Sequence, residues 1–148
     1  MIFMEEKPIS ETIGALLVQV CRAHRNKAQE LLARIDLHPG QEFLLINLWP
    51  QDGLTHTEIA EHLCVQPATL SRMLDRLVKT GLVQRQQDSG DQRVSRVFLT
   101  EKGQELLEPI QQTWEELERI SFANLTPEER LLLRRILLKV LENLEGGE

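Results

Sequence analysis

A mostly helical α+β fold is predicted from this 148-residue sequence by three features of one segment. Two short helical patterns lie between Thr55 and Thr80, two β-rich runs flank the polar residues 86–92, and a new helix start follows at Thr100. Helix, turn, helix and β-hairpin in this order form a winged helix-turn-helix. We place this lobe at residues 54–100.

Length and composition fit one domain spanning residues 1–148. Hydrophobic residues make up 41% of the chain and charged residues 27%, which is ordinary for a globular protein. The chain has two cysteines, Cys21 and Cys64, and neither a signal peptide nor an apolar run long enough to span a bilayer. We therefore expect a cytoplasmic protein with no membrane partner.

The net charge of -6 is unevenly distributed along the chain. Residues 54–100 hold six Lys/Arg against five Asp/Glu, whereas residues 101–148 hold six against eleven. Salt screens charges over about 10 Å, so a distant acidic helix is compatible with phosphate binding by the central segment. The charge argues against non-specific coating of nucleic acid and leaves sequence-specific binding open.

The N-terminal region carries apolar residues at helical spacing over 9–35, with Ser10 as a candidate N-cap. A second helix is expected over residues 41–49, and residues 50–53 read as a turn. Phe43, Ile46 and Trp49 of this second helix, with Leu17 of the first, are candidates for lining a ligand pocket, although each is equally compatible with plain core.

Two helices follow the turn. Thr55 and Glu58 form a capping-box pattern that opens the first, and Pro67 suits the first position of the second. In the second helix, Leu70, Leu74, Leu77 and Val78 recur at core-facing spacing. Its opposite face carries small or basic residues that suit the floor and edges of a DNA groove, namely Ala68, Thr69, Ser71, Arg72, Arg76 and Lys79.

Residues 82–87 and 93–99 are the predicted hairpin arms, joined by a polar turn. From Thr100 a long helix should run to about Ala123, with a kink at Pro109. A capping box at Thr126 opens the last helix, whose leucines cover more than one face. A two-fold partner would bury them, so residues 9–35 and 101–145 are predicted dimerisation helices.

The run DQRVSRVFLTEKG, residues 91–103, resembles the wing signature of MarR-type regulators, and PATLSRMLDRLVKTGLVQR resembles their recognition helix and first wing strand. The lead-in HPGQEFLLINLW also fits, so the resemblance spans essentially the whole chain. It implies a homodimeric transcription regulator, usually a repressor that a small-molecule ligand releases from DNA, and the two-fold axis of such a dimer matches a palindromic operator.

The resemblance also implies that the wing arginine, Arg93, enters the minor groove and that Asp91 helps to orient it. Arg96 is expected to contact phosphate or its own hairpin. The whole set of predicted contacts to double-stranded DNA is Thr55, His56, Gln66, Pro67, Ala68, Thr69, Ser71, Arg72, Arg76, Ser89, Gly90, Asp91, Gln92, Arg93 and Arg96.

Sensing by metal or thiol is a weaker interpretation. Cys21 with His24, and His38 with Glu42, offer an incomplete ligand set, so no metal or cofactor is expected. Some relatives sense peroxide through a cysteine held by tyrosines, but this chain has no tyrosine. Both cysteines are expected to be buried as small hydrophobic residues.

No catalytic constellation is found in the sequence, so an enzyme is not expected. The main rival is a winged helix that binds another protein without binding DNA. Such a module would not need Arg72, Arg76 and Arg93 together, and their joint presence favours DNA.

Overall fold

Seven α-helices and three short β-strands make up residues 7–49 and 53–146, the part of the chain that this computed structural model describes. They are α1 (Ile13–Ala33), α2 (Gln41–Leu48), β1 (Leu54–Thr55), α3 (His56–Leu63), α4 (Pro67–Lys79), β2 (Val83–Gln87), β3 (Ser95–Leu99), α5 (Glu101–Glu105), α6 (Leu107–Ser121) and α7 (Pro127–Glu145). The predicted α+β, mostly helical winged fold is confirmed. The chain forms two units, Met1–Trp114 and Glu115–Glu148.

Helix α1 begins later than the sequence pattern predicts. Ser10 lies in a 3-10 turn, Ile9–Glu11, and the N-cap is Thr12, whose hydroxyl accepts the Ala15 N–H at 3.1 Å. The prediction of Ser10 as the cap is therefore wrong. The predicted turn at 50–53 lies outside the described residues except for Gly53, which has a φ of 82°.

Helices α3 and α4 form the helix-turn-helix. The capping box of α3 is present, with reciprocal hydrogen bonds between Thr55 and Glu58. In α4, Leu70, Leu74 and Leu77 are buried as predicted. Val78 was expected to face the core as well, but 38% of it is exposed. The three leucines form the buried stripe of α4, and Val78 lies at its edge.

The sheet has the order β1-β3-β2, with both pairs antiparallel. β3 is the central strand, so Arg96 lies opposite Thr55 of β1 and Gln86 of β2. Val83, Val97 and Leu99 turn one face of the sheet into the core. The hairpin tip beyond β2 and β3 therefore projects as the wing.

The helix predicted after the wing is interrupted at Leu106, three residues before Pro109. α5 ends at Glu105 and α6 begins at Leu107, with a tight Leu106 N–H to Gly103 hydrogen bond between them. Proline lacks the N–H that would bond to the carbonyl four residues earlier, that of Glu105. The irregularity therefore lies one turn before the proline.

Within the second unit, α7 has a capping box formed by Thr126 and Glu129. Arg130 donates to the Phe122 carbonyl at 2.8 Å. None of the described residues of α7 is buried within the single chain. Its large apolar side chains are exposed, with Leu131 at 71% and Leu144 at 75%.

Candidate nucleic-acid interface

Helix α4 presents an open polar face. Ala68, Thr69, Arg72 and Arg76 are exposed, and Ser71 is half-buried. Gln66 caps the helix with an extended backbone but makes no side-chain cap hydrogen bond, and Pro67 takes the first helical position as predicted. The face opposite the buried leucines therefore combines small side chains with two long cations at one-turn spacing, which suits entry into a major groove.

Thr55 and His56 lie where α3 begins. The Thr55 hydroxyl accepts the Glu58 N–H, so part of its bonding capacity is used internally. Nε2 of His56 is shielded from solvent and has no partner within the described ranges. Burial lowers the pKa of His56, nearby Arg85 lowers it further, and Asp75 partly opposes this. A phosphate contact from His56 would have to use the other ring nitrogen.

The wing tip carries the predicted aspartate and arginine. Asp91 Oδ1 accepts the backbone N–H of Arg93 at 3.0 Å and lies 3.7 Å from its Nε. The Arg93 side chain is 95% exposed. Ser89, Gly90 and Gln92 beside it are exposed as well. The tip thus offers a cation on a small, accessible turn, which suits a narrow groove of negative potential.

Arg96 is bound within the wing instead of projecting from it. Its Nε donates to Asp88 Oδ1 at 2.8 Å, and a terminal nitrogen donates to the Gly53 carbonyl at 2.9 Å. The contact with its own hairpin, one of the two expectations for Arg96, is present. These contacts do not test the other expectation, a contact between Arg96 and DNA.

Sequence reasoning missed a contact between the wing and α4. Arg85 of β2 donates to Asp75 of α4 at 2.7 Å, which links the wing to the helix that carries Arg72 and Arg76. The two residues lie in different elements, and no local spacing pattern signals the pair. It is partly exposed, so its contribution to stability is small.

The four candidate pocket residues are more accessible than core residues. Phe43, Ile46 and Trp49 are exposed, and Leu17 is half-buried. Phe43 contacts the Trp114 ring, with centroids 5.3 Å apart. It also lines a cavity of about 430 Å³ together with residues of α3 and α4, among them Leu63, Thr69 and Met73. Of the four candidates, Phe43 lines this cavity, and a ligand pocket stays a prediction.

The cysteines contradict their predicted burial. Cys21 and Cys64 are both free and exposed. Cys64 ends α3 in the left-handed conformation, with a φ of 52°, and its Sγ lies 3.6 Å from the Glu61 carbonyl. Its position at the corner between two helices turns it outward, away from the side of α3 that buries Ile59.

Glu42, a candidate metal ligand, is buried and accepts the Gly40 N–H at 2.8 Å. Burial raises the pKa of Glu42, against the lowering effect of hydrogen bonds from its own N–H and that of Gly40. Over the described ranges, no three His, Cys, Asp or Glu side chains converge as a metal site would require. No helix within those ranges is long and apolar enough to cross a membrane.

Comparison with known proteins agrees with this geometry. The model of the MarR family matches residues 26–95. An uncharacterized HTH-type transcriptional regulator of Bacillus thuringiensis subsp. konkukian is 30% identical over 151 residues, which cover 98% of this chain and 97% of that protein.

Two solved structures are similar over most of the chain. A mutant of MarR from E. coli complexed with operator DNA is 32% identical with a TM-score of 0.78, covering 86% of this chain and 92% of that one. BpsR of Bordetella bronchiseptica, solved to explain how 6-hydroxynicotinic acid regulates its DNA binding, is 25% identical with a TM-score of 0.82, covering 91% and 96%.

Proposed function

This chain belongs to the MarR family of DNA-binding transcriptional regulators, and from that premise we propose that it is a homodimeric repressor that a small-molecule ligand releases from a palindromic operator. It is a regulator and not an enzyme. Its proposed place of action is the cytoplasm.

The proposal rests on three arginines that one unit of the chain exposes on α4 and on the wing tip. Arg72 and Arg76 project from α4, and Arg93 projects from the wing tip, all three exposed. The side chains of Arg72 and Arg76 have no hydrogen-bond or ion-pair partner among the described residues. An arginine left free in this way is available for guanine edges or phosphate. Base preference is assigned to Ala68–Arg72 and the wing, and most of the affinity to phosphate contacts.

A dimer is supported by the apolar surfaces that one protomer leaves uncovered. The exposed leucines of α7 face several directions around the helix, and α1 exposes Ile13, Leu16 and Val20. A second copy related by a two-fold axis would bury such surfaces and place two α4 helices on successive half-sites. Removal of residues 126–148 should therefore abolish the dimer in analytical ultracentrifugation. A folded dimer that survives this truncation would contradict the assignment.

Release by a ligand requires only a modest preference for one form. A ligand that binds the dimer arrangement unable to hold DNA a few kcal/mol more tightly than the DNA-binding arrangement would release the protein from its operator. BpsR supplies a precedent, since 6-hydroxynicotinic acid regulates its DNA binding. In this chain, the cavity beside Phe43 and Met73 is the candidate location, because it adjoins α4 directly.

A thiol-responsive regulator is the second candidate, because both cysteines are accessible to an oxidant.

The principal test of the proposed function is selection from a pool of random duplexes with the purified protein at several salt concentrations. We expect recovery of a palindromic site. Recovery of no preferred sequence would favour the rival interpretation, a winged helix that binds protein.

A further inference from the structure

Arg96 joins the base of the wing to its tip. At the base it donates to the carbonyl of Gly53, the residue before β1, at 2.9 Å. At the tip it donates to Asp88, the first residue after β2, at 2.8 Å. Since Arg96 lies in the central strand, its side chain holds two segments that are 35 residues apart in sequence (Gly53 and Asp88).

Asp88 in turn shapes the tip. While Oδ1 accepts from Arg96, Oδ2 accepts the N–H of Gly90 at 3.2 Å and that of Asp91 at 3.1 Å. The hydrogen bond from Arg96 is the main cause that lowers the pKa of Asp88, and Asp88 raises the pKa of Arg96. A carboxylate has enough lone pairs to serve all three donors, whereas a neutral amide has a single acceptor oxygen.

Asp91 is the last link before the exposed arginine. Its carboxylate accepts the Arg93 N–H, and the Arg93 side chain has no other hydrogen-bond or ion-pair partner in the part of the chain that the structure describes. Packing does not hold a side chain that is 95% exposed. The direction of Arg93 therefore follows from the backbone of the turn, which Asp88 and Arg96 hold in place.

We propose that Arg96 and Asp88 are positioning residues, which hold the wing tip where Arg93 reaches DNA, and that Arg96 itself makes no DNA contact. This inference rests on the proposed function of DNA binding. Two of the five N–H groups of Arg96 serve Asp88 and Gly53, which holds the guanidinium within the wing, and swinging it out to a phosphate would cost the turn its anchor. Its two bonds use the planar fork of donors that arginine has and lysine lacks.

The decisive variant is Asp88→Asn. It removes a negative charge beside DNA, so electrostatics alone predicts tighter binding. The proposal predicts the opposite, a loss of about fivefold to thirtyfold, because the amide cannot serve Arg96 and both N–H groups. The probe is a labelled duplex carrying the site recovered by selection, and affinity is read by fluorescence anisotropy at constant salt. Glu61→Gln is the matched control, since Glu61 is exposed on α3 and its replacement removes the same charge. This variant should bind DNA as tightly as wild type or slightly more tightly.

Arg96→Lys separates positioning from phosphate contact. Lysine keeps the charge but not the two-pronged geometry, so it should weaken binding as much as Arg96→Ala does. In a double-mutant cycle, Arg93→Ala with Arg96→Ala should bind no more weakly than Arg93→Ala alone, because both changes remove the same contact. Thermal melting of each variant should match wild type within a few degrees.

Three results would overturn the inference while leaving the proposed function intact. They are unchanged or tighter binding by Asp88→Asn, wild-type affinity of Arg96→Lys, and additive losses in the cycle. Wild-type protein without any sequence preference would instead defeat the proposed function, and this inference with it.

Discussion

Replacement of Gly103 by alanine tests how closely α5 packs against the wing. In most helices this exchange stabilises by about 0.5–1 kcal/mol, because alanine has less backbone freedom to lose on folding. Gly103 is buried, and a Cβ built there overlaps the Leu82 carbonyl oxygen and lies 3.0 Å from Leu99 Cδ2. That carbonyl cannot move freely, since it accepts the Thr100 N–H at 3.1 Å.

The expected net effect is a destabilisation of about 1–3 kcal/mol. Overpacking of a buried site costs about 1–3 kcal/mol. Weakening of the hydrogen bond between Thr100 and Leu82 adds about 1 kcal/mol. The intrinsic preference of the helix for alanine offsets about 1 kcal/mol of this loss.

Urea unfolding followed by far-UV circular dichroism measures the effect. All proteins are compared at one protomer concentration, because the stability of an oligomer depends on concentration. Gly14→Ala is the control: Gly14 is the second residue of α1, and no described atom lies within 4 Å of a Cβ at this position, so the exchange should gain up to about 1 kcal/mol. If Gly103→Ala gains stability as Gly14→Ala does, the close contact of α5 with Leu82 is wrong.

Three further predictions concern the reading face, pH and redox behaviour. Arg72→Ala should relax base preference in site selection, since Arg72 lies nearer the helix start, whereas Arg76→Ala should weaken binding to all sequences alike. Equal losses of affinity at every site by both variants would contradict this. The pKa of His56 is lowered in the folded protein, so its contribution to the free energy of unfolding is constant above pH about 6.5. That contribution is lost as the pH falls through the pKa of His56 in the folded protein. His56→Gln should lose less stability than wild type between pH 7 and pH 5 in urea titrations; equal losses would refute this cause. A Cys21→Ser, Cys64→Ser protein should bind and release DNA normally; peroxide release of wild type alone would establish the thiol switch.

Local patterns predicted the parts of the fold that depend on neighbouring residues. The capping boxes at Thr55 and Thr126 each involve residues three positions apart, and both are present. The buried leucines of α4 repeat at helical spacing, so their burial follows from the period alone. The wing tip with Arg93 was placed by the resemblance of its motif, and its exposure agrees with that expectation.

Features that depend on contacts between distant elements were not predicted. The Arg85–Asp75 pair joins a strand to a helix, and the Arg96–Gly53 bond spans 43 positions. Cys64 was expected to be buried because Leu63 beside it faces inward, yet the left-handed turn at the end of α3 turns it outward. Neither strand register nor the direction of a helix corner is encoded in the spacing of a few residues.

Arg93→Ala tests the central claim most directly, measured as affinity for a duplex carrying the selected site. The side chain is 95% exposed, so its removal should leave thermal melting unchanged. Loss of a minor-groove contact should weaken binding by about 1–3 kcal/mol, which is about fivefold to 150-fold in the dissociation constant. Wild-type affinity in a folded Arg93→Ala protein would contradict the assignment of the wing to DNA.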